Sequence, residues 1–278
     1  MFIATLVAGE RLSAGEISMA CDAVHGTASA LIDDVACDIR FSGDLAASRS
    51  ALEAMAGLDV IIQTETHRAR RLLVADMDST MITVECIDEL ADYAGLKAEV
   101  SAVTERAMRG EIDFGGALRD RMALLAGMPE ATIAACLRER VKLMGGAKDL
   151  VQSFRAAGGT ALLVSGGFTH FTGPVAAEIG FDRAVANRLI VKNGELTGEV
   201  ETPIVDAQTK ETTLLDTLTA MNLPRSASIA IGDGANDIPM IEAAGLGIAY
   251  HAKPKTQAAA DACVRLGDLR VVRYALGL

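Results

Sequence analysis

The sequence predicts an α/β protein whose core is a doubly wound parallel sheet. Short apolar runs typical of buried strands alternate with helical patterns over most of the chain, which favours this fold class. A long helical stretch is inserted after the first of these runs. The beginning of the chain has its own order of strands and helices, and that order predicts a small α+β unit.

Residues 1–68 are predicted to form the small unit. Its helices are expected on one face of a small sheet, because the elements follow a β-α-β-β-α-β-like order. The expected elements are strand Phe2–Val7, helix Ser13–Val24 with a serine N-cap, strand Val35–Phe41, helix Leu45–Met55 and strand Asp59–Gln63. The polar run 64–71 is expected to be a linker or the solvated start of the next strand.

The core is predicted over residues 69–278. Its expected strands are 72–76, 160–165, 227–231 and 246–249, and its expected helices are 169–179 and 209–221. This alternation implies crossover helices on both faces of the sheet. Within Arg188–Val200, Asn193-Gly194 lies between β-branched residues, which is a strong signal for a hairpin.

Residues 86–144 are predicted to be a helical cap inserted in the core. Leu118, Met122 and Leu125 recur at the i, i+4, i+7 spacing of one helix face. Breaks within the stretch are expected at Gly110, Gly127-Met128-Pro129 and Gly145-Gly146.

Composition excludes several classes of function. The 278 residues carry a net charge of −11, which argues against nonspecific binding of nucleic acid or anionic membranes. An anionic substrate stays open, because local charge decides its binding. The five scattered cysteines form no C-x-x-C pair and suggest reduced thiols in a cytoplasmic protein. We expect neither a secretion signal nor a membrane span.

Two acidic strings follow predicted strands: Asp76-Met77-Asp78-Ser79-Thr80 and Gly232-Asp233-Gly234-Ala235-Asn236-Asp237. Open α/β sheets bind ligands at the carboxyl ends of their strands, so these acids are expected to converge. Two unit charges about 4 Å apart interact by roughly 4 kcal/mol at an effective dielectric of 20, and here they repel. A cluster of this kind needs a cation, and oxygen ligands at a hydrolytic site suggest Mg²⁺.

The strings resemble the motifs of a known superfamily. D-x-D-x-T after a strand, followed by Ser165-Gly166-Gly167, a lysine and G-D-G-x-N-D, resembles the haloacid dehalogenase-like phosphatases. The fuller string from Asp76 to Glu85 resembles the phosphoserine phosphatases among them, and the resemblance covers about residues 70–265. The first unit resembles ACT-like extensions, although Gly9–Leu12 stands where ligand-binding ACT domains often carry a Pro-Gly turn.

A phosphate-ester hydrolase needs a nucleophile, a proton donor and compensation of phosphoryl charge. Asp76 is the expected nucleophile, because the strand before it aims the first acid. Asp78 is the expected general acid and base, although an aspartate there could also serve as a helix N-cap. The resemblance implies that Asp76, Asp233 and the backbone carbonyl of Asp78 ligate Mg²⁺.

Other residues of the motifs are expected to bind the phosphate or to position the groups around the metal. Ser165 and the Gly166 backbone N–H suit a phosphate oxygen, and the resemblance assigns Lys210 to the phosphate too. Asn236 is expected to contact substrate. Asp237 is expected to fix the metal's waters and the lysine. An aspartate at the start of the following helix would equally fit the role of a helix cap.

Specificity residues are expected in and beside the cap. Phosphoserine carries an ammonium, which an anionic side chain can bind, and a carboxylate, which a guanidinium can bind. Glu85 and Arg121 are predicted to supply them. The resemblance implies that Met108 and Phe114 exclude water over the serine methylene, although both could also be ordinary core residues.

The implied reaction is Mg²⁺-dependent hydrolysis of O-phospho-L-serine to L-serine and phosphate, a last step of serine biosynthesis. Phosphotransfer to another alcohol such as homoserine is an alternative, and a non-catalytic amino-acid sensor is a second. The expected partner is the small-molecule substrate, without nucleic acid or membrane. A homodimer through the N-terminal unit is left open.

Overall fold

The structure is a computed structural model, and it describes residues 1–109 and 111–278, without the side chain of Met108. The strands are β1 (Phe2–Ala8), β2 (Thr27–Ala28), β3 (Ala36–Phe41), β4 (Leu58–Thr64), β5 (Leu72–Ala75), β6 (Thr160–Phe168), β7 (Arg183–Asn187), β8 (Leu189–Lys192), β9 (Glu195–Val200), β10 (Ser228–Gly232), β11 (Gly247–Tyr250) and β12 (Ala262–Val264). The helices are α1 (Ala14–Val24), α2 (Leu45–Glu53), α3 (Cys86–Tyr93), α4 (Lys97–Met108), α5 (Phe114–Leu124), α6 (Glu130–Arg140), α7 (Ala147–Ala156), α8 (Thr169–Ile179), α9 (Ala207–Ala220), α10 (Ile238–Ala243), α11 (Pro254–Ala259) and α12 (Arg270–Leu276).

One ten-stranded sheet contains strands of both predicted units, in the order β2-β3-β1-β4-β12-β11-β10-β5-β6-β7. From β12 to β7 all neighbours are parallel, as predicted for the core. From β2 to β4 all neighbours are antiparallel. The two parts join where Val60 of β4 pairs with Cys263 of β12.

The parallel part is doubly wound, because successive side chains of a strand point to opposite faces. On one face Leu72 and Val74 of β5 pack in an apolar cluster with Leu214 of α9. On the other face Leu73 packs in a cluster with Phe154 of α7. All of these side chains are buried, so the sheet forms the centre of the core.

The N-terminal part has the predicted β-α-β-β-α-β order. The α1 helix begins with the expected serine cap, in which Ser13 and Glu16 form a reciprocal capping box. Apolar residues of α1 and α2 cover one face of its sheet. The last helix, α12, packs against β1 and β4 on the other face, which the sequence did not predict.

The run 64–71 connects β4 to β5, as predicted for a linker, but it is not fully solvated. Arg68 forms an ion pair with the buried Asp38, with 2.6 Å between Nη1 and Oδ2. Its guanidinium also donates to the backbone carbonyls of Tyr274 and Ala275. Arg70 is 7% exposed and donates to the Gln63 side chain. These arginines hold the run against the core because their donors satisfy buried acceptors.

Asp59 forms a second connection between the two parts. It lies in β4 and is 2% exposed. Its carboxylate accepts from the backbone N–H groups of Arg265, Leu266 and Gly267, at 2.7, 3.2 and 2.7 Å. A carboxylate that accepts several backbone N–H bonds forms strong, charge-assisted contacts, so Asp59 fixes the turn after β12.

The inserted cap consists of α3 to α6 and returns to the core beside its starting point. There Thr83 N–H donates to Lys142 and Met144 N–H donates to Met81, both to backbone carbonyls. Within the described residues, no helix is both long and apolar enough to cross a bilayer.

The predicted hairpin is present as β8 and β9. It leaves the core and docks on the loop between α5 and α6. Gly127 N–H donates to the Leu196 carbonyl at 2.8 Å, and Leu196 N–H donates to the Met128 carbonyl at 2.9 Å. The cap therefore contacts the core both at its two connecting segments and at this hairpin.

Candidate active site

The acidic residues of both strings lie at one edge of the parallel sheet. Asp76 follows β5 and Asp233 follows β10, and these strands are paired in register up to Ala75 and Ile231. Carboxylate oxygens of Asp76, Asp233 and Asp237 lie within 4.8 Å of one another. The expected convergence of the two strings is therefore confirmed.

Lys210 lies behind these carboxylates in the first turn of α9 and is fully buried. Its Nζ lies 2.6 Å from Oδ1 of Asp76 and 2.6 Å from Oδ1 of Asp237. Burial alone would lower the pKa of Lys210, but the two carboxylates outweigh it and raise that pKa above its usual range. Lys210 is therefore a fixed positive charge.

The cluster carries more negative than positive charge. Burial, followed by the charge of Asp237, raises the pKa of Asp76, although Lys210 opposes the change. Burial and Asp237 also raise the pKa of Asp233 to about 6, against a hydrogen bond from the Thr80 hydroxyl at 3.1 Å. Three carboxylates around one ammonium form an oxygen-only donor set with excess negative charge, which fits a hard divalent cation.

Asp237 organises the second string. Its Oδ2 accepts from the backbone N–H groups of Asp233 and Gly234, at 3.2 and 3.0 Å, while Oδ1 pairs with Lys210. A Cβ on Gly232 would overlap the Asp237 carboxyl, so glycine is required for this close approach. Both oxygens of Asp237 are thus engaged in holding other groups.

Asp78 lies in the loop after β5, where Ser79 adopts a left-handed backbone with φ of 53°. Its Oδ1 accepts from the Cys86 backbone N–H at 2.9 Å, and its Oδ2 accepts from the Ser165 hydroxyl at 3.3 Å. Removal of the carboxyl from water raises the pKa of Asp78, although both hydrogen bonds lower it. The group is held in place and can exchange a proton more readily than an exposed aspartate.

Ser165 lies within β6 and is fully buried behind the site. Its Oγ accepts from the Gly167 backbone N–H at 2.8 Å. The buried side chain of Asn187, which was not predicted from the sequence, donates to the Gly166 carbonyl and accepts from the Val205 N–H, each at 2.8 Å. The backbone at Gly166 is therefore fixed from both sides.

A cavity of about 530 Å³ lies between this edge of the sheet and the cap. Asp76, Asp78 and Asp233 line its core side together with Gly166 and Asn236. The structure thus brings the core residues of the motifs to one cavity, with Ser165, Lys210 and Asp237 buried behind its wall.

Glu85, Phe114 and Arg121 line the cap side. Glu85 accepts from the Ser79 hydroxyl at 2.6 Å. Desolvation between the cavity walls and then the charge of Asp78 raise the pKa of Glu85 to about 7. Arg121 donates from Nε to the Ala117 carbonyl at 3.2 Å. The Met108 side chain lies outside the described part of the chain.

Phe114 connects the cap to the core. Its Cζ lies 3.1 Å from the position that a Cβ on Gly166 would occupy. The cap therefore lies directly over the glycine of the S-G-G string, and a larger residue at position 166 would push the ring away.

Further residues complete the wall. They are Ile87, Asp88, Thr104, Ala107, Ile112, Ala117, Leu118, Gly167, Phe168, Gly234, Ala235 and Lys253. Of these, Lys253 could have been recognised because it follows the apolar run 246–249, at the same carboxyl edge as the acids. Thr80 could have been recognised as the last residue of the first string. The cap residues carry no comparable signal in the sequence.

Comparison with known proteins gives concordant matches. A family model described as haloacid dehalogenase-like hydrolase matches residues 73–242. The phosphoserine phosphatase of Albidiferax ferrireducens is 46% identical over 204 residues, which are 72% of this chain and 86% of that protein.

Solved structures are similar as well. The crystal structure of a probable phosphoserine phosphatase from Vibrio cholerae, in an unliganded form, has a TM-score of 0.81 at 34% identity. That match covers 99% of this chain and 86% of the other. A phospho-aspartyl intermediate analogue of phosphoserine phosphatase has a TM-score of 0.68 at 37% identity, covering 74% of this chain and 98% of the other.

Proposed function

This chain belongs to the phosphoserine phosphatases of the haloacid dehalogenase-like hydrolase family, and we propose that it hydrolyses O-phosphoserine in the cavity between core and cap. One observation carries the proposal: Lys210 joins Asp76 to Asp237 at the sheet edge where Asp78 and Asp233 also lie. A nucleophile, a proton donor and a positive charge are therefore available at one place.

In this proposal Asp76 is the nucleophile. Its carboxylate oxygen forms a bond to phosphorus while the bond between phosphorus and the serine oxygen breaks. Asp78 donates a proton to that leaving oxygen, so that serine departs as the neutral alcohol. Asp78 then accepts a proton from water, whose oxygen forms a bond to phosphorus while the bond between phosphorus and the Asp76 oxygen breaks, which releases inorganic phosphate and restores the Asp76 carboxylate. Hydrogen bonds from Cys86 and Ser165 would hold Asp78 for both proton transfers.

The metal proposed for the site is Mg²⁺, held by Asp76, Asp233 and the backbone carbonyl of Asp78. Bound there, it would offset negative charge on the phosphoryl oxygens. Asp237 positions this arrangement through its bonds to Lys210 and to the backbone of the second string. Lys210, the Ser165 hydroxyl and the Gly166 N–H are proposed to bind the remaining phosphoryl oxygens.

Substrate selection is assigned to the cap side of the cavity. Glu85 would bind the substrate ammonium and Arg121 its carboxylate, since each carries the complementary charge. Phe114, already over Gly166, would exclude water above the serine methylene, and Met108 is proposed for the same purpose. Asn236 on the core side would contact the phosphate end.

The N-terminal part is proposed to be ACT-like, because it has the β-α-β-β-α-β order and an antiparallel four-stranded arrangement. Both faces of its sheet are covered, by α1 and α2 on one side and α12 on the other. A homodimer through this part would therefore have to use its helices or its outer strand edge. The reaction proposed for the chain is the serine-forming step of serine biosynthesis in the cytoplasm.

The test is a phosphate-release assay with O-phosphoserine. We expect release in Mg²⁺ and its loss in excess EDTA. Adding homoserine should leave the amount of free phosphate unchanged, because water is the expected acceptor. Formation of phosphohomoserine would instead support the phosphotransferase, which the comparisons do not favour. An inactive protein that binds serine would support the sensor.

A further inference from the structure

The charges on the cavity wall are unbalanced. Its acidic residues are Asp76, Asp78, Glu85, Asp88 and Asp233. Among the described residues that line the cavity, only Arg121 and Lys253 are basic. Phosphoserine brings a phosphate dianion into this acidic wall, and Lys210 is buried behind it. A cation on the surface of the wall therefore attracts the dianion as it approaches the cavity.

The two basic residues belong to different parts of the fold, one to the cap and one to the core. Arg121 belongs to cap helix α5. Lys253 follows β11 and precedes α11, so it belongs to the core. The Lys253 backbone N–H approaches the Asp233 carbonyl at 3.4 Å, which places the residue next to the second acidic string.

Lys253 is also available for a ligand. Its carbonyl accepts from the N–H groups of Thr256 and Gln257, each at 3.0 Å, so the backbone below the side chain is fixed. The residue is exposed. Across residues 1–109 and 111–278, no carboxylate lies within ion-pair distance of its ammonium. A lysine ammonium with no competing partner is a mobile point charge suited to a phosphate.

We propose that Lys253 is a substrate-binding residue that captures the phosphate group of phosphoserine from the core side of the cavity. This inference rests on the proposed function. Because Lys253 is attached to the core beside Asp233, it presents positive charge to incoming substrate independently of the cap residues. Its contribution should appear in substrate capture, in kcat/KM and KM, and much less in kcat.

The experiment compares Lys253→Met, Lys253→Arg and the matched control Lys255→Met in the full-length protein with Mg²⁺. Lys255 lies in α11, two residues after Lys253, is exposed and does not line the cavity. At low ionic strength we expect Lys253→Met to raise KM for phosphoserine about tenfold and to leave kcat within about twofold. Lys253→Arg should recover most of the loss, and Lys255→Met should match the wild type.

Ionic strength provides the second readout. The difference in kcat/KM between wild type and Lys253→Met should shrink as salt rises, since exposed charges are screened. Equal KM values for Lys253→Met and Lys255→Met would overturn the inference. So would a loss in kcat alone, or failure of Lys253→Arg to restore KM. A wild-type protein that releases no phosphate from phosphoserine would instead overturn the proposed function.

Discussion

Lys210 and Asp76 form a buried ion pair, with 2.6 Å between Nζ and Oδ1. Asp76 is 5% exposed and Lys210 is fully buried. A buried charge without a partner is strongly unfavourable, and Lys210 is paired with both Asp76 and Asp237. The pair holds the proposed nucleophile next to the cation that would bind the phosphoryl group.

Asp76→Asn is expected to reduce turnover of phosphoserine by at least about 1000-fold, because an amide cannot form the acyl phosphate. Incubation with radiolabelled substrate followed by an acid quench should show labelled wild-type protein and unlabelled variant. Asp149→Asn, on the exposed face of α7, is the control and should keep wild-type activity. Full activity in Asp76→Asn would exclude this nucleophile.

Arg121→Ala is expected to lower kcat/KM for phosphoserine by roughly 10- to 100-fold, which corresponds to a charged hydrogen bond of about 1.5–3 kcal/mol. Phosphoethanolamine, which lacks the carboxylate, should lose much less. Steady-state kinetics on both substrates make the comparison, with Arg119→Ala on the exposed side of the same helix as the control. Equal losses on the two substrates would show that the carboxylate pocket lies elsewhere.

Glu85 predicts a dependence of substrate binding on pH. Because the pKa of Glu85 is raised to about 7, its carboxylate is largely ionised at pH 8 and largely protonated at pH 6. Binding of the substrate ammonium requires the ionised form, so KM for phosphoserine should rise as pH falls through 7. Phosphoglycolate, which has no ammonium, should show a smaller rise. In Glu85→Gln the two substrates should have parallel pH profiles, and a retained difference would contradict the assignment.

Removing the metal is expected to change stability in a pH-dependent way. The folded protein raises the pKa of Asp233 to about 6, above the ordinary value near 4. The folded state then binds the proton more tightly than the unfolded state, so the free energy of unfolding falls as pH rises from about 4 to about 6.

Mg²⁺ binds the ionised carboxylates and should offset that loss. Thermal melts should therefore show a larger difference in Tm between Mg²⁺ and EDTA at pH 8 than at pH 5. Asp233→Asn should remove most of the difference at both pH values. A variant that responds to Mg²⁺ like the wild type would show that Asp233 is not a ligand.

Asp59→Ala is expected to destabilise the protein by roughly 3 kcal/mol, because it leaves three backbone N–H groups without their acceptor. The corresponding decrease in Tm is about 6–10 °C, and KM for phosphoserine should stay unchanged. Asp216→Ala, on the exposed face of α9, is the control for the loss of one acid. A change in Tm below 1 °C would contradict the structural importance of Asp59.

Local patterns predicted the parts of the site that depend on strand ends. The acids of both strings converge because parallel neighbours end at the same edge, and this geometry follows from the apolar runs before Asp76 and Asp233. The hairpin at Asn193-Gly194 was predictable for a similar reason, since the turn is encoded in two adjacent residues.

Features that depend on distant pairings were not predictable. The joining of the two parts depends on one pair, Val60 with Cys263, and on the long-range bonds of Asp59. The buried contacts of the polar run 64–71 were not predicted, because the acceptors for Arg68 lie in β3 and α12, far away along the chain. A hydrophilic sequence does not show by itself whether its donors face water or buried carbonyls.

The continuous sheet makes the N-terminal part a poor candidate for removal. Without β4, strand β12 would have an open edge with unpaired backbone groups, and α12 would lose the surface that covers it. Open edges beside apolar surface promote aggregation between molecules. A shortened enzyme would therefore need a replacement shield at this edge to remain in solution.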